Sequence, residues 1–276
     1  MSDIFVKPAA MKQLVGCEYW PQDPPYHYGK ISANTVFDWM PSDTEESYHR
    51  MMQDPKHREY FAQQGWDQPG AITYRINSEG FRGDDFDGSD YLVSLGCSFT
   101  MGIGLPEKDV WPYRLGRALG LSVANLSWGG QCADSCLRLA AYWIPRLRPK
   151  LVCMLAPPPD RFEIFVDTGS SNRAYQAPIE TIMSSTKIAK FEHDAFLKHY
   201  FINEKNSTYN RFKNILAIKQ ICVEFDTPCI VYCAWNAFGR EREEVGYARD
   251  YMHAGPRGHE ILTNNMLNDY DKIQHR

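Results

Sequence analysis

Tyr91-Leu-Val-Ser-Leu-Gly-Cys-Ser-Phe-Thr-Met-Gly102 is the stretch on which the reading of this chain turns. Its first five residues form a short apolar run of the kind that makes a strand buried on both faces, and Gly96, Gly102 and Gly104 break it. A small polar side chain, Ser98, is thereby delivered at the carboxyl end of a strand. Open α/β sheets place their chemistry there, because strand ends are held rigidly while the following loops leave room for a ligand. Ser98 is the candidate nucleophile. The flanks are not a Gly-x-Ser-x-Gly elbow, since position 100 is Thr. Taken alone, the stretch more readily describes a serine that caps the loop leaving a strand.

Downstream, strands and helices alternate. Pro106–Leu119 reads as an amphipathic helix with Val110, Trp111, Leu115 and Leu119 on one side, ending at Gly120. A strand over Leu121–Asn125, a loop through Gly130 and a helix over Ala133–Leu147 follow. Leu151–Leu155 is a third apolar strand, stopped at Pro157-Pro-Pro159. Residues 160–207 are polar and mixed, with a helix expected near Thr186–Phe201. Tyr209–Phe225 is a regular helix feeding a strand over Cys229–Ala234, and Gly258–Tyr270 closes the chain as a helix. Such alternation specifies a mainly parallel sheet with helices on both faces, a three-layer α/β/α sandwich.

Residues 1–70 read as an irregular N-terminal arm, and 71–276 as the main domain. The arm is rich in Pro, Asp, Tyr, His and Trp, with one helical candidate over Ser42–Gln64. Trp20, Trp39 and Trp66 are too costly to leave in water together, so the arm is expected to pack back onto the domain as a lid or a brace. Ala71–Arg75 reads as a short strand, and Asn77-Ser-Glu-Gly80 as a turn.

With 276 residues and 43% hydrophobic composition the chain can bury a proper core. A net charge of −4 with scattered basic residues gives no footprint for nucleic acid or an anionic membrane. No secretion-type leader opens the chain and no stretch has the length of a membrane span, so a soluble, cytoplasmic protein is expected. Eight cysteines then read as reduced thiols. Cys132 and Cys136, and Cys229 and Cys233, are spaced four apart, which is not a Cys-x-x-Cys metal pattern. Both pairs are expected to be buried packing residues, and no cofactor or metal is implied.

Three loops share one rim of such a sheet: those carrying Ser98, Gly130 and Asp250-Tyr-Met-His253. A serine hydroxyl needs a base to become a nucleophile, and His253 is the available one. Asp250, three residues earlier, can reach the imidazole Nδ1 within one tight turn and fix its tautomer. Backbone N–H groups around Gly129-Gly130 can stabilise an oxyanion, or the pair is simply a turn. Likewise, Asp250 and His253 on their own are as readily a structural pair. Cys97 also adjoins the strand end, but consecutive residues point to opposite faces, which puts Cys97 inward.

These blocks resemble the SGNH (GDSL-type) hydrolases. Gly96-Cys97-Ser98 is similar to the family's first block with Cys97 in place of Asp, Asn125-Leu-Ser-Trp-Gly-Gly130 to the second, and Asp250-Tyr-Met-His253-Ala-Gly-Pro-Arg-Gly258 to the last. Tyr74-Arg-Ile-Asn-Ser-Glu-Gly-Phe-Arg82 resembles a segment preceding the first block in longer members. The resemblance implies a flavodoxin-like sheet and a serine esterase working through an acyl-enzyme. Ser98, Asp250 and His253 would then be catalytic, with Ser98 and Gly130 in the oxyanion hole and a small-molecule, carbohydrate or lipid ester as substrate. The third block departs. The family's Gly-x-Asn-Asp is replaced by Ala156-Pro-Pro-Pro-Asp-Arg161, so one oxyanion donor is missing. Arg161 is the candidate replacement; its alternative is a surface salt bridge to Asp160 or Glu163. A fold that has lost efficient catalysis and become a binding module, and an O-acyltransferase using the same serine, are the competing functions.

Overall fold

Leu92 and Val93 point to opposite sides of their strand, and the layers of the molecule follow from that alternation. The computed structural model describes residues 33–88, 90–167, 172–178, 203–233, 237–238 and 245–275. In chain order the elements are β1 (Val36–Phe37), α1 (Glu45–Met51), α2 (Pro55–Gln64), β2 (Tyr74–Arg75), β3 (Tyr91–Leu95), α3 (Ser98–Met101), α4 (Trp111–Leu119), β4 (Ser122–Asn125) and α5 (Ala133–Leu147). They continue as β5 (Leu151–Ala156), β6 (Arg161–Asp167), β7 (Asn172–Pro178), α6 (Glu204–Glu224), β8 (Cys229–Cys233) and α7 (Pro256–Gln274). Short 3₁₀ turns lie at Pro69–Ala71 and Glu107–Asp109.

Four strands form a wholly parallel sheet in the order β4-β3-β5-β8. On one face Val93, Leu95, Val152 and Met154 pack against Leu139, Ala140 and Ile144 of α5 and Ile218 and Ile221 of α6. On the other, Leu92, Leu151, Cys153 and Leu155 meet Trp111 and Leu115 of α4 and Leu262 and Met266 of α7. This is the doubly wound, three-layer sandwich expected from the sequence, with its first strand in the middle of the sheet. All four strands run the same way, so every strand-to-helix loop opens at one edge. No helix among the described residues is long and apolar enough to cross a membrane.

A third core lies over that edge. Tyr48, Phe61, Trp66, Ile72 and Tyr74 pack with Met101, Ile103, Leu105, Trp128 and Ala248, residues of the loops that leave the strands. The helix expected over Ser42–Gln64 is two helices. Asp54 is extended (φ −82°, ψ 122°) ahead of Pro55, as a residue preceding proline prefers, and its carboxylate caps α2 by accepting from Lys56 N at 2.8 Å. The strand expected over Ala71–Arg75 shrinks to Tyr74–Arg75, paired antiparallel with β1, because a Pro69-Gly70 turn occupies its start. Residues after Asp160 form a hairpin, β6 paired with β7, that the sequence did not disclose. The helix near Thr186–Phe201 and Trp20 lie outside the described residues. Cys132 and Cys136 are buried as expected, whereas Cys233, at the end of the edge strand β8, is exposed.

The described residues ahead of β2 are fastened to the last loop by a buried ion pair. Arg249 donates to Asp43 through Nε (2.9 Å) and Nη2 (2.7 Å), and Tyr74 donates its hydroxyl to the same carboxylate. The guanidinium also donates to Pro69 O and Asp38 O, both at 3.0 Å, and lies over the Trp39 ring. Asp43→Ala leaves that charge buried without its counter-ion. It is expected to destabilise the fold by about 3–5 kcal/mol, measured by urea denaturation; a loss under about 1 kcal/mol, the scale of an exposed pair, would contradict the account.

Candidate active site

Ser98 stands where β3 ends. Gly96 lets the chain turn against its neighbours, since a Cβ there would lie 2.1 Å from Thr100 Oγ1 and 3.0 Å from Leu155 O. Cys97 is fully buried and extended (φ −116°, ψ −151°), which fits the packing role expected for it, and Ser98 opens the single turn of α3. Arg82, buried beneath, holds that turn. Its Nη1 donates to Met101 O (3.0 Å) and Gly102 O (2.7 Å), and its Nη2 to Leu105 O (2.8 Å) and Thr73 O (3.1 Å). Asn125, at the end of β4, pins the neighbouring loop by donating to Thr100 O (2.9 Å) while its Oδ1 accepts from Ser94 Oγ (3.1 Å) and Ser127 N (3.3 Å).

The Asp250–His253 turn is pressed against the same loop. Arg249 N donates to Gly104 O at 2.9 Å, and Gly104 has φ +78° with no room for a Cβ beside Ala248. Ala248 N donates to His253 O (3.0 Å), closing the turn. The consequence is a continuous row. His253 Nε2 lies 2.7 Å from Ser98 Oγ, and His253 Nδ1 lies 2.6 Å from Asp250 Oδ2. The other carboxylate oxygen accepts from Met252 N (3.0 Å) and His253 N (3.1 Å). Phe99 meets the imidazole edge to face, with centroids 4.6 Å apart. Ser98 and His253 are buried, with 8% and 9% of their surface exposed. Burial works against the charge on Asp250, but the bond and positive field of His253, with the Ser42 hydroxyl, hold its pKa below the ordinary carboxylate value.

Gly130, with φ +79°, lies in the loop that follows β4, five residues past Asn125. Gly129 of that loop faces Ile103 Cδ1, where a Cβ would sit at 3.3 Å. Among the described residues, neither Ser98 N–H nor Gly130 N–H donates to a backbone carbonyl. Arg161 begins β6, five residues beyond the end of β5. The salt bridge weighed for it with Glu163 does not form, because Glu163 pairs with Arg138, at 2.8 Å from its Nε. Nε and Nη1 of Arg161 are buried and have no partner among the described residues. Asp134 ties this hairpin to the core, accepting from Glu163 N (3.3 Å), Asn210 Nδ2 (2.9 Å) and Asn214 Nδ2 (2.8 Å). Among the described residues no group of His, Cys, Asp and Glu is arranged to hold a metal ion.

Three residues of the site were not singled out in the sequence: Ser42, Asn125 and Arg82. Ser42 Oγ donates to Asp250 Oδ2 at 2.7 Å from 208 positions away. Asn125 and Arg82 lay inside quoted motifs, but their contacts cross strands and leave no local pattern.

No family model matches the chain, and no curated protein matches it. Solved structures do. The chain is similar in structure to G-D-S-L lipolytic hydrolases. One is a psychrotrophic esterase EstA from Pseudoalteromonas sp., with 12% identity and a TM-score of 0.37 over 68% of this chain and 100% of that one. A GDSL-like lipase from Bacteroides thetaiotaomicron has 16% identity and a TM-score of 0.32 over 67% and 89%. A carbohydrate acetylesterase family member from Sinorhizobium meliloti has 10% identity and a TM-score of 0.31 over 64% and 95%. Likeness this faint assigns no chemistry, which is left to the residues of the site.

A second histidine makes the site's surroundings acid-sensitive. His259 Nδ1 accepts from Trp111 N at 3.1 Å, and burial, with the nearby positive charges of His253, Arg114 and Arg82, pushes its pKa down to about 3. Between the ordinary value of 6.5 and about 3, the unfolded chain takes up a proton here that the folded chain refuses. Stability therefore falls as pH falls, by at most about 1.4 kcal/mol per pH unit from this group. Asp250, whose pKa is lowered, adds a further loss when it is protonated at lower pH still. Urea midpoints measured across this range are expected to drop less steeply for His259→Gln than for the wild type; parallel slopes would contradict the assignment.

Proposed function

We propose that this chain is a serine-dependent ester hydrolase of the SGNH type, working through an acyl-enzyme. The observation that carries the reading is the unbroken row from Ser98 Oγ through His253 to Asp250, at 2.7 and 2.6 Å. Both contacts are within the reach required of a nucleophile–base and a base–orienter pair. Ser98 Oγ attacks the ester carbonyl carbon while His253 Nε2 accepts its proton; Asp250 holds the imidazole by Nδ1–H and stabilises the imidazolium. The tetrahedral intermediate collapses with the imidazolium protonating the departing alcohol. Water, deprotonated by the same imidazole, then attacks the acyl-serine and releases the acid.

The developing oxyanion is assigned to Ser98 N–H, Gly130 N–H and the Arg161 guanidinium. Support for Arg161 comes from its two unpartnered N–H groups, which no carboxylate among the described residues claims. A guanidinium supplies charge where the family pattern supplies a neutral amide, so it can replace the absent asparagine of the third block. The substrate is read as a small acyl ester, the carbonyl class that a serine with a histidine base attacks.

Reaction with a fluorophosphonate, located by peptide mass spectrometry, is expected on Ser98 in the wild type and in neither Ser98→Ala nor His253→Ala. A folded wild type that stays unlabelled would sink the proposal. With p-nitrophenyl acetate, Ser98→Ala and His253→Ala are expected to lower kcat on the order of 10⁴–10⁶-fold. Arg161→Ala is expected to lower kcat by about 10²–10³-fold with KM little changed; unchanged kcat would remove Arg161 from the oxyanion hole.

A further inference from the structure

The Asp250 carboxylate accepts four hydrogen bonds among the described residues, and three come from its own turn: Met252 N, His253 N and His253 Nδ1. The fourth comes from Ser42 in the N-terminal arm, at 2.7 Å, and falls on Oδ2, the oxygen that also accepts the imidazole N–H. The local bonds tie the carboxylate to the turn that carries it. Ser42 alone ties it to another part of the chain and occupies the lone pair of Oδ2 that His253 does not use.

The arm is built to present that hydroxyl. Ser42 has φ +75°, a region an L-residue seldom adopts. It is held there because Met40 N donates to Asp43 O (3.1 Å) and the Asp43 carboxylate is locked to Arg249. Two adjacent arm residues, Ser42 and Asp43, thus bond two adjacent residues of the last loop, Asp250 and Arg249. The ion pair sets the register and the hydroxyl reaches the relay.

We propose that Ser42 is a positioning residue of the relay: its hydroxyl, donated from the N-terminal arm to Asp250 Oδ2, fixes the carboxylate that orients His253. The arm is then a working part of the active site. This inference rests on the hydrolase reading above, and its test is chosen so that the two can fail separately.

Ser42→Gly removes the hydroxyl while relieving the positive φ, so the eased backbone offsets part of the stability lost with the hydrogen bond. Thermal midpoint, steady-state hydrolysis of p-nitrophenyl acetate, the rate of fluorophosphonate labelling and the downfield Nδ1 proton of His253 in the proton NMR spectrum are compared with the wild type. The expected result is a midpoint lowered by no more than about 4 °C, kcat and labelling rate about tenfold lower, an unchanged KM and a displaced Nδ1 proton. Wild-type labelling and kcat in Ser42→Gly, or an Nδ1 proton that does not move, would overturn the role of Ser42 and leave the hydrolase reading standing. A midpoint low enough to leave the variant partly unfolded at the assay temperature, or a loss appearing in KM, would make Ser42 structural and overturn it too. Absence of labelling in the wild type itself would overturn both.

Discussion

A buried guanidinium that must not lose its counter-ion is the constraint on which the rest of this structure depends. Removing Arg249 and Asp43 from water costs several kcal/mol for each ion, and the pair is tolerable only because every side of it is satisfied. Asp43 receives Arg249 twice and Tyr74 once; Arg249 also reaches two carbonyls and the face of Trp39. The arm cannot lift from the last loop without exposing these partners unevenly. Tyr74 transmits the same constraint to the loop that follows Ser98 by accepting from Gly104 N at 2.8 Å. Three segments far apart in sequence, around residues 42, 104 and 250, are thereby held in one arrangement.

The parallel sheet supplies the other half of that arrangement. Register pairs Ser94 with both Asn125 and Cys153, so the loops after β3, β4 and β5 leave the sheet side by side. Apolar side chains alternating between two helical layers hold the strands in that register, since a slip of one residue would exchange the faces. Arg82 and Asn125 then satisfy the carbonyls of the turn that carries Ser98, where a serine on an unsupported loop would have no fixed distance to His253.

How much of this was legible depended on the range of each contact. β3 and β5 are apolar runs bounded by glycine and proline, so they could be read from neighbours alone. The Asp250–His253 pairing was equally accessible, because three residues of separation close within one turn. Ser42 was not, since its partner lies at the far end of the chain and Ser42-Asp-Thr-Glu reads locally as a helix cap, a role that Thr44 takes. The break between α1 and α2 falls at Asp54-Pro55, a stop and a new start set inside a continuous charged, helix-forming stretch. The fate of Arg161 was undecidable for a similar reason. Glu163 had two candidate cations, and Arg138, which claims it, comes from another layer of the fold.

The central claim is that Ser98 is an activated nucleophile, and the most direct measurement is to catch it carrying an acyl group. Rapid acid quench of the full chain mixed with p-nitrophenyl acetate, followed by peptide mass mapping, is predicted to find one acetyl group on the peptide containing Ser98 and fragmentation to place it on the serine. The same adduct is predicted to be absent from Ser98→Ala. An acetyl group placed on Cys97, or on a residue remote from the rim of the sheet, would contradict the account.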